Sequence, residues 1–511
     1  RLSSFAELGK KFKLNTTIAY IRSDNDKATK SAGSFYTNLM TFPSDIDARD
    51  YINPDGTRKL LRNVAANAEL NNPFWDVNKN LSNDKTDNFV GNLSLTANIA
   101  KGLTATGIIG INSFTTMGSM FYHPYSREAV TLGGFLSTFE QVYNGMNGTF
   151  RVNYNKTIAK KFTNSFYLGS YFEDNKMTTN SQRGERFYEP DFMSIINTDP
   201  TSRIALLARR DSRKVRFYGG YTVGYNNLLY LTFTGTREGV STLMSKFYNK
   251  QPFFNYGSAS GSFILSDLNF MKGIKDVMSY AKLRVSYATT GRGPIATYII
   301  DRSFNGALST GGGLNLGVTG NNEDLRPEFN KNFEVGGEFK FLKNRIGLDV
   351  AYFNNKIKDN ILANRISYAT GYILRYFNGG RLAAKGWEIQ LTGSPVRSKN
   401  LNWDITLNFD KARTTIEKLP GDLPFYYDSD TWVFGSVRSQ VAVGQSLANL
   451  SGFTFEKNNK GQLLISPTTG LPIQATTDYV TIGDRQPDFK FSLIFFQAED
   501  GIRHLTVTGV Q

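Results

Sequence analysis

The 511-residue chain contains no cysteine and only two histidines. Without cysteine there is no disulfide, no thiolate metal site and no thiol nucleophile, and two histidines leave little for zinc or for triad chemistry. We therefore expect neither an enzyme nor a cofactor or metal protein. Long apolar runs are missing too: mean hydropathy is -0.34, and no stretch approaches the roughly 18 consecutive apolar residues of a spanning helix, which excludes a helical membrane protein. The chain opens at Arg1 with no initiator Met and no signal peptide, and reads as a fragment. Acidic residues are the scarcer charge, 44 against 59 basic. The basic residues are scattered along the chain, where a nucleic-acid face needs a clustered patch, so no nucleic-acid partner is expected.

What the chain has in quantity is glycine and aromatic residues: 47 Gly, 39 Phe and 26 Tyr. Aromatics favour strands and form the girdles of outer-membrane barrels. The segment 333–352 shows how they are arranged. Phe333, Val335, Gly337, Phe339 and Phe341 alternate with Glu334, Glu338 and Lys340, and Ile346, Leu348, Val350 and Tyr352 stand opposite Arg345 and Asp349. A period of two on both sides of a short polar break predicts an antiparallel hairpin with one apolar and one polar face. The same pattern recurs near 11–22, 88–99, 103–112, 147–156, 161–172, 214–225, 228–237, 256–266, 278–289, 331–342, 345–355, 384–393, 400–411 and 488–495. Each run is about ten residues, the length of a tilted membrane strand.

The connections decide between a soluble sandwich and a membrane barrel. Tight ones are expected at 100–102, 157–160, 226–227, 343–344 and 393–399, with a longer one near 267–277. Long segments at 23–87, 113–146, 173–213, 238–255, 290–330, 356–383 and 412–487 lie between them. Successive connections of an up-and-down barrel emerge on opposite sides, so this order puts every long loop on one side and every tight turn on the other. A sandwich has no reason to sort its loops by parity. The fold class is thus all-β, an antiparallel up-and-down transmembrane β-barrel with short periplasmic turns and long extracellular loops. Charges on the polar face, among them Arg216, Lys282, Arg284, Glu338, Asp349 and Glu388, would line its lumen.

Five segments in this order carry a resemblance to a known family: "NNPFWDVNKNLSNDKTDNFVGNLSL" (71–95), "SYAKLRVSYATTG" (279–291), "LRPEFNKNFEVGGEFKFLKNRIGLDVAYFNNKIKDNIL" (325–362), "NGGRLAAKGWEIQLTGSPV" (378–396) and "IGDRQPDFKFSL" (482–493). The chain resembles the SusC/RagA-like branch of TonB-dependent outer-membrane transporters of Bacteroidetes. The resemblance implies a barrel of 22 strands, of which about 14 are legible here, an N-terminal plug and a TonB box. It also implies import of oligosaccharides or peptides (a glycan or peptide substrate) beneath a SusD-like surface lipoprotein, in contact with outer-membrane lipid in the cell outer membrane. Neither plug nor box is recognisable in this chain. Residues 1–494 are expected to be the barrel domain. From Phe495 the text "FFQAEDGIRHLTVTGVQ" departs from the family pattern; its acidic, glycine-broken start fits no strand in register, and 495–511 reads as a non-native tail. A barrel lacking strands leaves backbone groups unsatisfied in hydrocarbon, so the isolated chain is not expected to insert stably. In the same segments Pro327 is expected to fix the backbone ahead of a strand near Lys331, and Gly386 with Trp387 to begin a strand at the bilayer interface.

Candidate ligand contacts are loop aromatics: Phe121, Tyr122 and Tyr125 in "FYHPY", and Phe425, Tyr426, Tyr427 and Trp432 in "PFYYDSDTWVFG". Flat rings cover apolar faces of a solute while polar neighbours orient it; mutual packing of the loops is the plainer reading. "GRGPIA" (291–296) has the form of a dinucleotide fingerprint, but Pro294 and the lack of a following amphipathic helix remove the context. "TGGGLNLG" (310–317) lacks the Lys-Ser/Thr of a phosphate loop, and Asp428 with Asp430 lack the remaining ligands of a calcium site. Two other classes stay open: a passive porin or structural barrel without energy coupling, and a secreted soluble adhesin.

Overall fold

The computed structural model describes residues 1–28, 35–301, 304–305, 315–398, 401–427, 437–498 and 503–510. They fall into two compact units. The first comprises Arg1–Ile99, Ala105–Phe150 and Tyr171–Lys214, the second Ala100–Thr104, Arg151–Ser170 and Val215–Gln511.

The first unit holds β1 (Leu2–Leu8), β2 (Phe12–Asp26), two short helices α1 (Phe35–Thr41) and α2 (Pro73–Lys79), and most of β3 (Leu81–Ala100) and β4 (Leu103–Tyr122). β5 (Phe135–Ile158), β6 (Phe162–Glu185) and β7 (Ile204–Tyr225) contribute to both units. β1 pairs antiparallel with β2, and β2 with β3. Side chains tie the next strands together: Thr96 and Thr106 hydroxyls lie 3.1 Å apart, Ser113 donates to Asn144 at 2.7 Å, and Tyr143 donates to Asn175 at 2.7 Å.

The second unit continues with β8 (Leu229–Val240), β9 (Phe253–Ile264), β10 (Met278–Arg292), three two-residue strands β11 (Phe304–Asn305), β12 (Asn315–Leu316) and β13 (Thr319–Gly320), then β14 (Glu328–Phe341), β15 (Ile346–Arg365), β16 (Leu374–Arg397) and β17 (Asn402–Lys418). After β17 come β18 (Phe425–Tyr427), β19 (Arg438–Ala442), β20 (Asn449–Phe455) and β21 (Gln474–Asp484), a separate four-stranded sheet, and then β22 (Lys490–Ala498) and β23 (Arg503–Val510). The long strands β8–β9–β10–β14–β15–β16–β17–β22–β23 pair antiparallel in that order.

The opening hairpin is as the alternation requires: Phe341 pairs with Ile346 and Val335 with Tyr352. Its apolar face stays open, Phe333 and Val335 being 41% and 43% exposed. The turns are set by backbone geometry. Asn226 and Asn227 both adopt positive φ, as do Leu342, Lys343 and Asn344, the conformation that tight hairpins demand and that Asn tolerates best. At Gly102, with φ +80°, a Cβ would come within 2.1 Å of the Asn155 carbonyl oxygen, so no side chain fits.

Several expectations need correction. Strands are not ten residues but 20 or more in β3, β4, β5, β6, β7, β15 and β16. Alternation persists past the apolar band in Thr, Asn and Ser, where a search for apolar faces loses it. The 113–146 connection shrinks accordingly to 123–134, and the 412–487 segment contains the separate sheet. Gly386 and Trp387 do not begin a strand; they sit in the middle of β16. The turn expected at 393–399 lies later, because β16 runs to Arg397 through a register shift between Gly393 and Val396. β14 begins at Glu328, directly after Pro327. β1, short and exposed, was absent from the expected strands. In the C-terminal segment, Arg503–Val510 pair in register with Lys490–Gln497.

Candidate functional site

On the polar faces, charged side chains meet across strands. In the second unit Arg284 on β10 reaches two strands over to hold Asp349 with both terminal nitrogens (3.0 and 2.8 Å), while its Nε lies 3.4 Å from Glu334 on the intervening β14. Arg216 on β7 donates to the buried Glu238 carboxylate at 2.7 Å, which also accepts from the Tyr256 hydroxyl at 2.7 Å. Arg292 donates to Glu328 at 2.6 Å. In the first unit cross-strand partners are both charged and neutral: Arg213 on β7 donates to Asp174 on β6 at 3.2 Å, and Gln141 on β5 to Thr179 on β6 at 3.3 Å. The alternation named Arg216, Arg284 and Asp349 but not Glu238 and Tyr256, which complete the Arg216 cluster, nor the Arg292–Glu328 pair. For Arg284 the cross-strand register explains the contacts, since it shares a β10–β14–β15 row with Gly336 and Ala351, one pleat from Glu334 and Asp349.

The "NNPFWDVNKN" segment builds a different kind of site. Asn72 caps α2, its side chain accepting from Phe74 N at 2.8 Å with Pro73 in the first turn, a position where proline costs no hydrogen bond. Trp75 is completely buried, its indole N–H donating to Ser126 Oγ at 2.8 Å. Ser126 Oγ in turn donates to Asn80 Oδ1, 2.5 Å away. Asp76 accepts from the side chains of Asn38, Asn71 (2.8 Å) and Asn80 (2.9 Å). Burial nonetheless raises its carboxyl to about 6, against those three donors and with help from Glu128. Arg58 donates to Asn71 Oδ1 at 2.6 Å, and the Glu69 carboxylate accepts from Leu61 N and Arg62 N. His123 is buried; its Nδ1 accepts from Tyr125 N at 3.2 Å, which leaves the proton on Nε2, 3.3 Å from Asp191 Oδ1. Burial pushes the His123 pKa down.

The structure separates the predicted aromatics. Phe121 is buried, edge-on to Phe187 (5.4 Å between centroids) and His123 (6.0 Å). Tyr122 is half-buried beside Phe135 and Tyr125 beside His123, so "FYHPY" closes over the α2 network. In the other unit Phe425 is exposed on β18, while Tyr426 packs on Ile416, Leu419 and Val441. The Tyr427 side chain, Trp432, Asp428, Asp430 and residues 310–314 lie outside the described residues. Gly291 and Arg292 end β10, and among the described residues up to β14 no α-helix follows.

Two hollows in the first unit were not legible in the sequence. One, of about 720 Å³, is bordered by Glu140, Asn180, Gln182, Phe139 and Leu207. Glu140 shares its parity on β5 with Met146 and Phe150, while the polar partners Gln141 and Tyr143 hold the opposite parity, so this hollow opens on the apolar face. The other, of about 450 Å³, lies in the β2–β3 loop between Phe42, Pro43, Ile46, Lys59, Arg62 and Glu69. Among the described residues no cluster of three or more His, Asp or Glu side chains could hold a metal ion.

A family model described as TonB dependent receptor-like, beta-barrel matches residues 4–490. TonB-dependent receptor P3 of Formosa agariphila is 22% identical to this chain, the match covering 98% of the chain and 53% of the relative. TonB-dependent receptor SusC of Bacteroides thetaiotaomicron is 24% identical over 42% of this chain and 22% of its own length. Among solved structures, that of the RagAB peptide transporter superposes with a TM-score of 0.77 at 17% identity, covering 99% of this chain and 56% of the other, a likeness of fold. The chain spans about half the length of P3 and of a second curated relative, TonB-dependent receptor P26 of Formosa agariphila.

Proposed function

The chain belongs to the TonB-dependent receptor-like β-barrel family, whose SusC/RagA-type members reside in the outer membrane, and from that premise we propose that it forms the wall of an active transporter importing oligosaccharides or peptides. The observation that carries the wall is the pairing of an open apolar face with a charged, cross-linked one along β10, β14 and β15, and the family supports the energy coupling. Apolar residues meet lipid; Arg284, Asp349 and Glu334 meet the aqueous interior and whatever passes through it.

In this reading solute first meets the loops. In the first unit Tyr122 and Tyr125 offer rings to its apolar faces, and in the second the exposed Phe425 does the same. A SusD-like lipoprotein covers the loop side, and TonB, pulling on a plug carried elsewhere in the full-length protein, opens the path. The similarity to SusC and to the RagAB peptide transporter supports both partners, and the printed name of the latter speaks for a peptide among the proposed substrates.

A passive porin would share the wall but not the energy requirement. In cells carrying the full-length protein, uptake of labelled oligopeptide and oligosaccharide mixtures should stop when the proton-motive force is dissipated or TonB is deleted. Uptake that continues down its gradient under both treatments would replace active transport with passive diffusion.

A further inference from the structure

The tight turns have a charge bias that solute import does not use. Connections 9–11, 101–102, 159–161 and 342–345 contain Lys10, Lys11, Lys101, Lys160, Lys161, Lys343 and Arg345, and no acidic residue, whereas 226–228 is uncharged and the longer 265–277 balances Asp267 and Asp276 with Lys272 and Lys275. Beside 342–345 the apolar face is hollowed. A depression of about 470 Å³ is lined by Leu342, Ile346, Leu391, Ile405 and Leu407, with Arg345 on its border. Its floor is Gly393, which pairs with Ile346 on one side and Ile405 on the other. A Cβ there would meet nothing within 4 Å, so the space is real and unfilled by the protein.

The sequence maintains the hollow by a local device. The register of β16 against β17 shifts between Gly393 and Val396, so Ser394 and Pro395 together stand opposite Asp404. Such a bulge bends the strand away from its neighbours. It is pinned by Ser394 N donating to Arg345 O at 2.8 Å and Ser394 Oγ to Asp404, and Pro395 has no N–H to offer a ladder. The cations around it are unequal. Lys343 lies 3.5 Å from Asp276, and Arg397 donates to Ser394 Oγ at 3.1 Å. The exposed Arg345 guanidinium has no hydrogen bond or ion pair to another described residue.

We propose that this hollow binds an acyl chain of an anionic phospholipid from the leaflet on the tight-turn side, with Arg345 holding the headgroup phosphate. The proposal rests on the barrel reading above. Apolar walls suit the chain, a planar guanidinium suits two phosphate oxygens, and a basic rim selects the lipid's net charge. In a zwitterionic lipid the ammonium offsets the charge of the phosphate that Arg345 engages, so the Arg345 contact is worth more for the anionic lipid.

Native mass spectrometry of the full-length protein, released from micelles containing phosphatidylglycerol or phosphatidylethanolamine with the same acyl chains, tests it. Wild type should retain phosphatidylglycerol over phosphatidylethanolamine by about ten-fold, the value of one charged hydrogen-bonding contact. Arg345→Gln, on an exposed turn, should erase that preference; Gly393→Leu should lower retention of both lipids. Equal retention by wild type, or an undiminished preference in Arg345→Gln, overturns the proposal. Heat-modifiable migration on a gel, read on the same samples, reports the barrel separately. Its absence in wild type would overturn the barrel reading and the lipid site with it, whereas its presence with equal retention overturns the site alone.

Discussion

The assembly around α2 and the wall around Arg284 both rely on polar groups away from bulk water, yet they specify structure in opposite ways. Around α2 each group is singular: one indole meets one hydroxyl, and one carboxylate collects three amides, Asn71 and Asn80 from the two ends of its own helix and Asn38 from α1. Along the wall the ion pairs repeat a strand-to-strand motif, and Arg284 and its two acids remain about a third exposed. A unique, dry network should break as a whole. A periodic, half-wet one should lose a member with little spread, because water replaces the missing partner.

The largest effect should come from Trp75→Ala. Removing a fully buried indole leaves a cavity and frees the Ser126–Asn80 linkage, at a cost of about 3–5 kcal/mol. Hydrogen exchange on the full-length protein should show residues 51–80 and 121–134 losing protection together while β14–β16 keep theirs. Equal loss in the strands would mean that wall and loop assembly are one cooperative unit. Next comes the wall itself. Glu238→Ala removes a nearly buried carboxylate that accepts from Arg216, itself about a third exposed, and from the Tyr256 hydroxyl, and should cost about 2 kcal/mol. Arg284→Met, in its more open setting, should cost about 1 kcal/mol. Thermal loss of the heat-modifiable form orders the two variants; if Arg284→Met proves the more damaging, the wall is drier at β10 than its exposure indicates.

The same contrast explains what the sequence disclosed. Strands and turn parity were legible because period-two alternation is repeated many times, and any one hairpin, such as 333–352, states the rule. Strand ends were not, since beyond the apolar band Thr, Asn and Ser continue the pleat without an apolar face to mark it. The bulge at Ser394–Pro395 was hidden for a related reason: a single inserted residue changes parity locally, and only the partner strand reveals it. The loop site was barely legible. "NNPFWDVNKN" stood out as a motif, but its partners Asn38, Arg58, His123 and Ser126 come from distant segments with no period connecting them. The aromatic signal at 121–125 pointed to a real cluster, and yet the structure spends Phe121 and His123 on packing.

The finest test uses two titrations of opposite sign inside the α2 assembly. Burial holds Asp76 at about 6, above its unfolded value of 3.8. A raised carboxyl contributes stability that is full below the unfolded pKa and is lost as pH rises through 6, so acidifying from pH 7 to 5 favours the folded assembly through Asp76 by about 1 kcal/mol. His123 works the other way. Its pKa is depressed by burial, so its contribution is full above the unfolded value near 6.5 and is lost as pH falls toward its folded value. Asp191, facing His123 and paired with Lys79 at 2.6 Å, is held below the ordinary carboxylate range and stays charged throughout this window. Local opening of residues 51–80, followed by hydrogen exchange corrected for intrinsic pH dependence, should therefore vary less between pH 7 and 5 in the wild type than in either single variant. Asp76→Asn should leave the His123 titration alone and make the assembly weaken on acidification. His123→Gln should leave Asp76 alone and make it tighten. Parallel profiles for all three proteins would show that neither group titrates in the folded assembly over this range, and that the network is held by its amides and the Trp75 indole rather than by charge.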